Sequence, residues 1–507
     1  MRKDLYFVRN KKQYNQKLKD MTNTKELEQS AEMCIGALSQ AILDDVAKYN
    51  KLQNKTPEIL ALTAELRMDT VFVLMDLSTS YIACCKAQEP YACRYHIKNL
   101  YAGMQEAYKL MLGYGKSQRY TIWNKIGNAI NSKPVSEWEE QPQLEERFQA
   151  ITVKLKGLSG DDVEKSHRDL TYHYDADMKQ VYVYTLAVNN FEEASDKYIA
   201  YLELLSEMIK FCDNIEKCLR KKGIATEVET ESKSIDDSLH LLLIQHLSRN
   251  KELPVVLDGV LNDVQPIDDS ALNLEKINKL HKLVNKQMEL PELDNVLIIQ
   301  NMYLTILFMR ADMAAISKSF LLSKTSGEAM LNMRRYIITI TAAFGHLYGY
   351  SEEERPKSIW SSVLDMIPKD AEMLKERATH IEGLFQKVVL KKDMDVRTCY
   401  AHLFDNKTHN TNIPSIIDLL KNQNPILELQ KVALMLKVSK VVMDFMKDVM
   451  LELSKRAHEA NKKSTEELRN TMLKIKEVTE LPNCPKELKE LFSNTIGKVQ
   501  GWTGIKL

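Results

Sequence analysis

TPEILALTAELRMDTVFVLMDLSTSYIACCK, residues 56–86, and LPELDNVLIIQNMYLTILFMRADMAAISKSFL, residues 290–321, decide how this chain folds. Each starts with a proline, Pro57 or Pro291, whose fixed φ and missing N–H suit the first turn of a helix. Neither then meets another Gly or Pro, and apolar residues recur at i, i+3, i+4 and i+7, the period of an α-helix. The two stretches also read alike, MDTVFVLM from Met68 against MYLTILFM from Met302. A likeness at long range is the mark of an internal duplication, which changes the weight of every motif inside it.

The likeness continues outward. LGYGKSQRYTIW ends at Trp123 and YGYSEEERPKSIW at Trp360, so a Gly-Tyr turn and an Ile-Trp pair recur with an offset near 235. HRDLTYHYD, from His167 to Asp175, matches VRTCYAHLFD, from Val396 to Asp405. Further helical periodicity spans Leu27–Tyr49, Phe191–Arg220 and Ile426–Leu453, while alternation of strand type is almost confined to Val181–Tyr184, short enough to begin another helix. An all-α fold of two tandem diverged helical bundles is therefore expected: an extension over 1–24, a first domain over 25–222, a second over 270–457 and a helical tail over 458–507. The stretch 223–269 is expected to be a polar linker with a short helix around Leu239–Leu247, because GIATEVETESKSIDDS from Gly223 is acidic and poor in apolar residues. In the tail, Ser464-x-x-Glu467 has the form of a capping box and predicts a final helix that starts there.

Composition agrees with this reading. A chain of 507 residues exceeds what one core organises, and only 16 Gly and 13 Pro leave little room for a turn-dense β fold. Seventy basic and seventy acidic side chains cancel, which excludes the overall positive field of a protein that coats nucleic acid, so any anion site must be local. The N-terminus lacks the apolar core of a signal peptide, and no stretch approaches the roughly 20 apolar residues of a membrane span, so a cytoplasmic protein without a membrane partner is expected. Eight cysteines, Cys34, Cys84, Cys85, Cys93, Cys212, Cys218, Cys399 and Cys484, form no zinc-ligand spacing and read as reduced packing residues. No metal and no cofactor are expected.

The repeat gives meaning to one short element. Arg168 and His173 stand five apart, as do Arg397 and His402, at equivalent places in the two copies. Five helical residues turn the chain so that the two side chains diverge by about 140°, so Arg and His of one copy make a poor pair and converge better across an interface between copies. Histidine exchanges a proton near neutral pH and Arg offers a planar cationic fork for phosphate, a combination suited to phosphodiester chemistry. The plainer reading is an interdomain salt bridge for each Arg and a hydrogen-bonded residue near a helix end for each His. Asp175 and Asp405 either orient the preceding His or cap the chain. Tyr172, Tyr174, Tyr400 and Phe404 either stack on bases or pack in a core.

On these residues the chain resembles the HEPN superfamily, helical bundles whose catalytic members carry an Arg-x4-6-His motif, often with a polar residue after the Arg, and cut RNA as dimers. Asp169 and Thr398 stand at that polar position, and the AHLFD ending at Asp405 is similar to HEPN proteins of abortive-infection systems. The resemblance implies a metal-independent endoribonuclease that acts on single-stranded RNA through Arg168, His173, Arg397 and His402. It also implies antiviral defence as a toxin, restrained by an inhibitor or released by a trigger partner, with a homodimer as the alternative way to pair each motif. A catalytically silent HEPN-like scaffold for RNA, nucleotide or a partner protein is the competing expectation.

Overall fold

The computed structural model describes residues 22–53, 57–112, 121–158, 178–187, 191–224, 252–263, 265–284, 291–349, 352–388, 413–481 and 484–503. Helices fill them, and no strand occurs among the described residues. The first half holds α1 (Thr22–Leu52), α2 (Glu58–Lys86), α3 (Pro90–Leu112), α4 (Ile122–Ile130), α5 (Gln141–Gly157), α6 (Met178–Ala187) and α7 (Phe191–Lys221). The second holds α8 (Glu252–Asn262), α9 (Gln265–Val284), α10 (Pro291–Leu321), α11 (Ser326–Tyr348), α12 (Ile359–Asp365), α13 (Glu372–Phe385), α14 (Ile413–Lys421), α15 (Pro425–Glu480) and α16 (Lys486–Thr503).

The order long, long, short, medium, short, long runs through α2–α7 and again through α10–α15, each helix returning about 235 residues later. Packing returns with it. α2 lies against α1, α3 and α7, as α10 lies against α9, α11 and α15, and α5 rests on α7 as α13 rests on α15. The two short helices are built alike: Thr121 and Ser358 are their N-caps, accepting from the Asn124 and Ser361 amides at 3.4 and 3.1 Å. Two residues past each cap a buried tryptophan ties the helix to the next one. Trp123 donates to Thr152 at 2.9 Å and stacks on Phe148, while Trp360 donates to Glu382 at 2.6 Å and meets Phe385.

α2 and α10 are apolar on every side, the pattern of a helix surrounded by others. Both carry windows long and apolar enough to cross a bilayer, Glu58–Lys86 and Asn295–Leu321, so the expectation that no stretch approaches a span was too strong. An apolar 18-residue window within each is 89% and 61% buried inside the protein, which is where its apolar surface goes. One apolar core draws on residues 31–219 alone, and the other joins residues 257–449 to Met68, Phe72 and Met75 of α2 and Tyr91 and Tyr95 of α3.

Val181–Tyr184 lies inside α6, the helix that its short length allowed. Two local expectations are corrected. Residues 252–262, expected as linker, form α8, whose Leu257 and Leu261 are fully buried against the second core; the proposed short helix at 239–247 lies outside the described residues. Ser464–Glu467 starts no helix, because α15 runs unbroken for 56 residues. A capping box acts only where the chain enters a helix, and no Gly or Pro after Pro425 interrupts this one. The tail helix is α16, which packs on α15.

Candidate functional site

All eight residues singled out from sequence, Arg168, Asp169, His173 and Asp175 with Arg397, Thr398, His402 and Asp405, lie outside the described residues. Their neighbours in sequence are described. The first motif falls between the end of α5 at Gly157 and the start of α6 at Met178, and the second between the end of α13 at Phe385 and the start of α14 at Ile413. Both following helices touch their own half, α6 on α3 and α14 on α11, and also reach the other. α6 packs on α9 and α10, where Tyr182 donates to Asp268 at 2.8 Å and its ring meets Phe308. α14 packs on α2 of the first half as well as on its own α11, with Ile413, Ile416 and Ile417 buried.

Between these crossings the halves meet reciprocally. α3 lies on α10 and α2 lies on α11, so the second long helix of each half covers the first long helix of the other. Polar side chains embedded in the apolar helices define the contact. Asp76 of α2 receives Arg334 and Arg335 of α11 at 3.2 and 2.8 Å. Asp312 of α10 accepts from Tyr91 of α3 at 2.6 Å and stands beside Lys98, whose ammonium burial pushes below its usual range. Tyr95 shares a hydrogen bond of 2.9 Å with Thr339.

At one end of the junction the lysines near the helix ends exchange partners. Lys86, at the end of α2, binds Glu328 of α11 at 2.8 Å and Glu32 at 3.2 Å, while Lys318 of α10 binds Glu89, just before α3, and Asp258, both at 2.6 Å. Thr325 caps α11 there, accepting from the Glu328 amide at 3.1 Å, and burial raises the Glu328 carboxyl despite Lys86. Ser319 and His96 Nε2 lie 2.9 Å apart, and burial, with Arg335 nearby, pushes the imidazole down to about 3, so it stays neutral at physiological pH. A hydroxyl beside a neutral imidazole is the start of a nucleophile pair. Here the adjoining cavity of about 10 Å³ has room for about one water, so this pair faces no substrate.

Sequence reasoning missed this junction because its partners are separated by more than two hundred residues and follow no spacing. One signal was available: Asp76, Asp312, Arg334 and Arg335 are charges inside long, largely apolar helices, and such charges are buried only when partnered.

None of the described cysteines is joined in a disulfide, and no group of three or more His, Cys, Asp or Glu stands together as a metal-holding set among the described residues. No known protein family matches the chain, no curated protein is similar to it, and no solved structure matches it.

Proposed function

We propose that this chain is a metal-independent endoribonuclease of HEPN type, made of two diverged copies of one helical domain, which cuts single-stranded RNA in the cytoplasm. Its site is composite: Arg168 and His173 from the first copy, Arg397 and His402 from the second. The observation that carries this reading is that α6 and α14 each bridge the two halves. The helix that follows each motif in sequence packs on the opposite half as well as on its own, which supports a site that draws on both halves.

At such a site one imidazole takes the proton of the 2'-hydroxyl as its oxygen attacks the adjacent phosphorus. The second imidazole gives a proton to the departing 5'-oxygen, and the two guanidinium groups stabilise the charge on the pentacoordinate phosphoryl group. The products are a 2',3'-cyclic phosphate and a 5'-hydroxyl. Asp169 and Thr398 are polar supports beside the arginines, and Asp175 and Asp405 orient the imidazoles or cap the chain after them. In a toxin or phage-defence effector, an inhibitor or trigger partner would restrain or release this activity.

The test is incubation of purified protein with single-stranded RNA in excess EDTA, followed by end-group analysis. Cyclic phosphate ends support the reading. Ends of another kind contradict it, and cells equally poisoned by the wild type and by the His173→Ala/His402→Ala variant favour the silent scaffold.

A further inference from the structure

The cavity where the lysines exchange partners is walled on its apolar side by Ala83, Ala87, Ala92 and Ala315, whose single methyl groups leave space that larger residues would fill. Its polar wall comes from both halves: Glu89 and His96 of the first, Lys318 and Ser319 of the second. Glu89 is 6% exposed, and its two oxygens are treated unequally. Oε1 accepts from Lys318 at 2.6 Å, whereas Oε2 is buried and meets no hydrogen-bond partner in the protein. A carboxylate oxygen removed from water without a donor is costly, and native proteins supply one.

We infer that this cavity is a binding site for a single water molecule that joins the two halves, donating to Glu89 Oε2 and accepting from Lys318 Nζ. The volume of about 10 Å³ is near the least that holds one water and too small for an organic ligand. Charge selects the occupant further. Lys86 and Lys318 both line the cavity and disfavour a cation, while Glu89 disfavours an anion. Proton counting also fits. An ammonium has three donors, and Lys318 uses two of them, on Glu89 and Asp258 at 2.6 Å each, leaving one for the water. Lys86 donates to Glu328 at 2.8 Å and to the Leu322 carbonyl at 3.3 Å, and it also stands 3.2 Å from Glu32 as an ion pair.

A crystal structure of the full chain at a resolution that orders water tests this directly. One peak within about 3 Å of both Glu89 Oε2 and Lys318 Nζ is expected. A site without density between ordered side chains overturns the inference. A thermal cycle gives a second, independent readout. Ala315→Val fills the cavity, so in the wild-type background it displaces the water and lowers the melting midpoint by a few degrees. In a Glu89→Met background no oxygen is stranded, and the same substitution should cost less than half as much. A midpoint raised by Ala315→Val, as when a dry cavity is filled, or an equal drop in both backgrounds, overturns the proposal.

Discussion

Tyr95 and Thr339, 244 residues apart, share a buried hydrogen bond of 2.9 Å at the centre of the junction between the two halves. Neither residue could be paired with the other from sequence, yet each sits on the second long helix of its own half. Each of these helices also lies on the first long helix of the other half, so the contact is reciprocal. The fold's mechanical and chemical properties follow from that contact.

Asp76 is its most exposed weakness. Replacing it with Ala removes the carboxylate that two buried guanidinium groups share, and loss of one partner from such a cluster costs about 3–5 kcal/mol. Asp76→Asn keeps an acceptor and should cost less. Urea denaturation of the full chain reads both; a loss for Asp76→Ala under about 1 kcal/mol would mean that the arginines find other partners.

Gly327 sets how closely the halves approach. A Cβ there would lie 2.0 Å from Ser39 Oγ, 3.2 Å from Ser39 Cβ and 3.1 Å from the Met75 methyl, all in the first half. Gly327→Leu should destabilise by about 1–3 kcal/mol through overpacking. A Ser39→Cys/Gly327→Cys pair needs only a small outward shift to reach the Cβ spacing of about 3.5–4.5 Å that a disulfide prefers, and should close under mild oxidation. Peptide mapping without reductant detects the link. Thiols that stay reduced would contradict the junction.

His96 predicts an acid weakness. The unfolded chain protonates this imidazole near its ordinary value of about 6.5, whereas burial holds the folded one down to about 3. Its contribution to stability is therefore fully present above about 6.5 and is lost as pH falls toward about 3, by about 1.4 kcal/mol per unit. His96→Gln removes this slope. Urea midpoints of wild type and variant at pH 7.5 and 5.5 should converge on acidification, and midpoints that fall in parallel would count against the neutral buried imidazole.

Much of the architecture was legible in the sequence. Apolar period and the positions of Pro57, Pro291, Trp123 and Trp360 gave the helices and their recurring order, because these residues act locally through φ, caps and nearest helices. The unbroken run of α15 through Ser464–Glu467 was not legible, since a capping pattern is the same string whether or not the chain enters a helix there. The junction was illegible for a different reason. Its pairs are long-range, and Tyr91–Asp312 or Lys86–Glu328 leave no periodic trace. Arg168, His173, Arg397 and His402 were legible only as a doubled pattern.

Arg168 is expected to act through geometry as well as charge. Lysine keeps the positive charge but cannot reproduce a bidentate fork on phosphate, so Arg168→Lys should lower the RNA cleavage rate nearly as far as Arg168→Ala. Gel-resolved rates on one oligonucleotide decide it, and near-wild-type activity in Arg168→Lys would reduce the residue to a source of charge.

The central claim is that one site is shared between the halves, and the rates of wild type, His173→Ala, His402→Ala and the double variant on single-stranded RNA in excess EDTA test it most directly. If both imidazoles serve the same phosphate, each single change should lower the rate by about 10² to 10⁴, and the double variant should lose little more, as groups acting as one unit do. Two independent sites would instead leave about half of the activity in each single variant and lose it only in the double. That result, or cleavage undiminished in the double variant, would contradict the composite site.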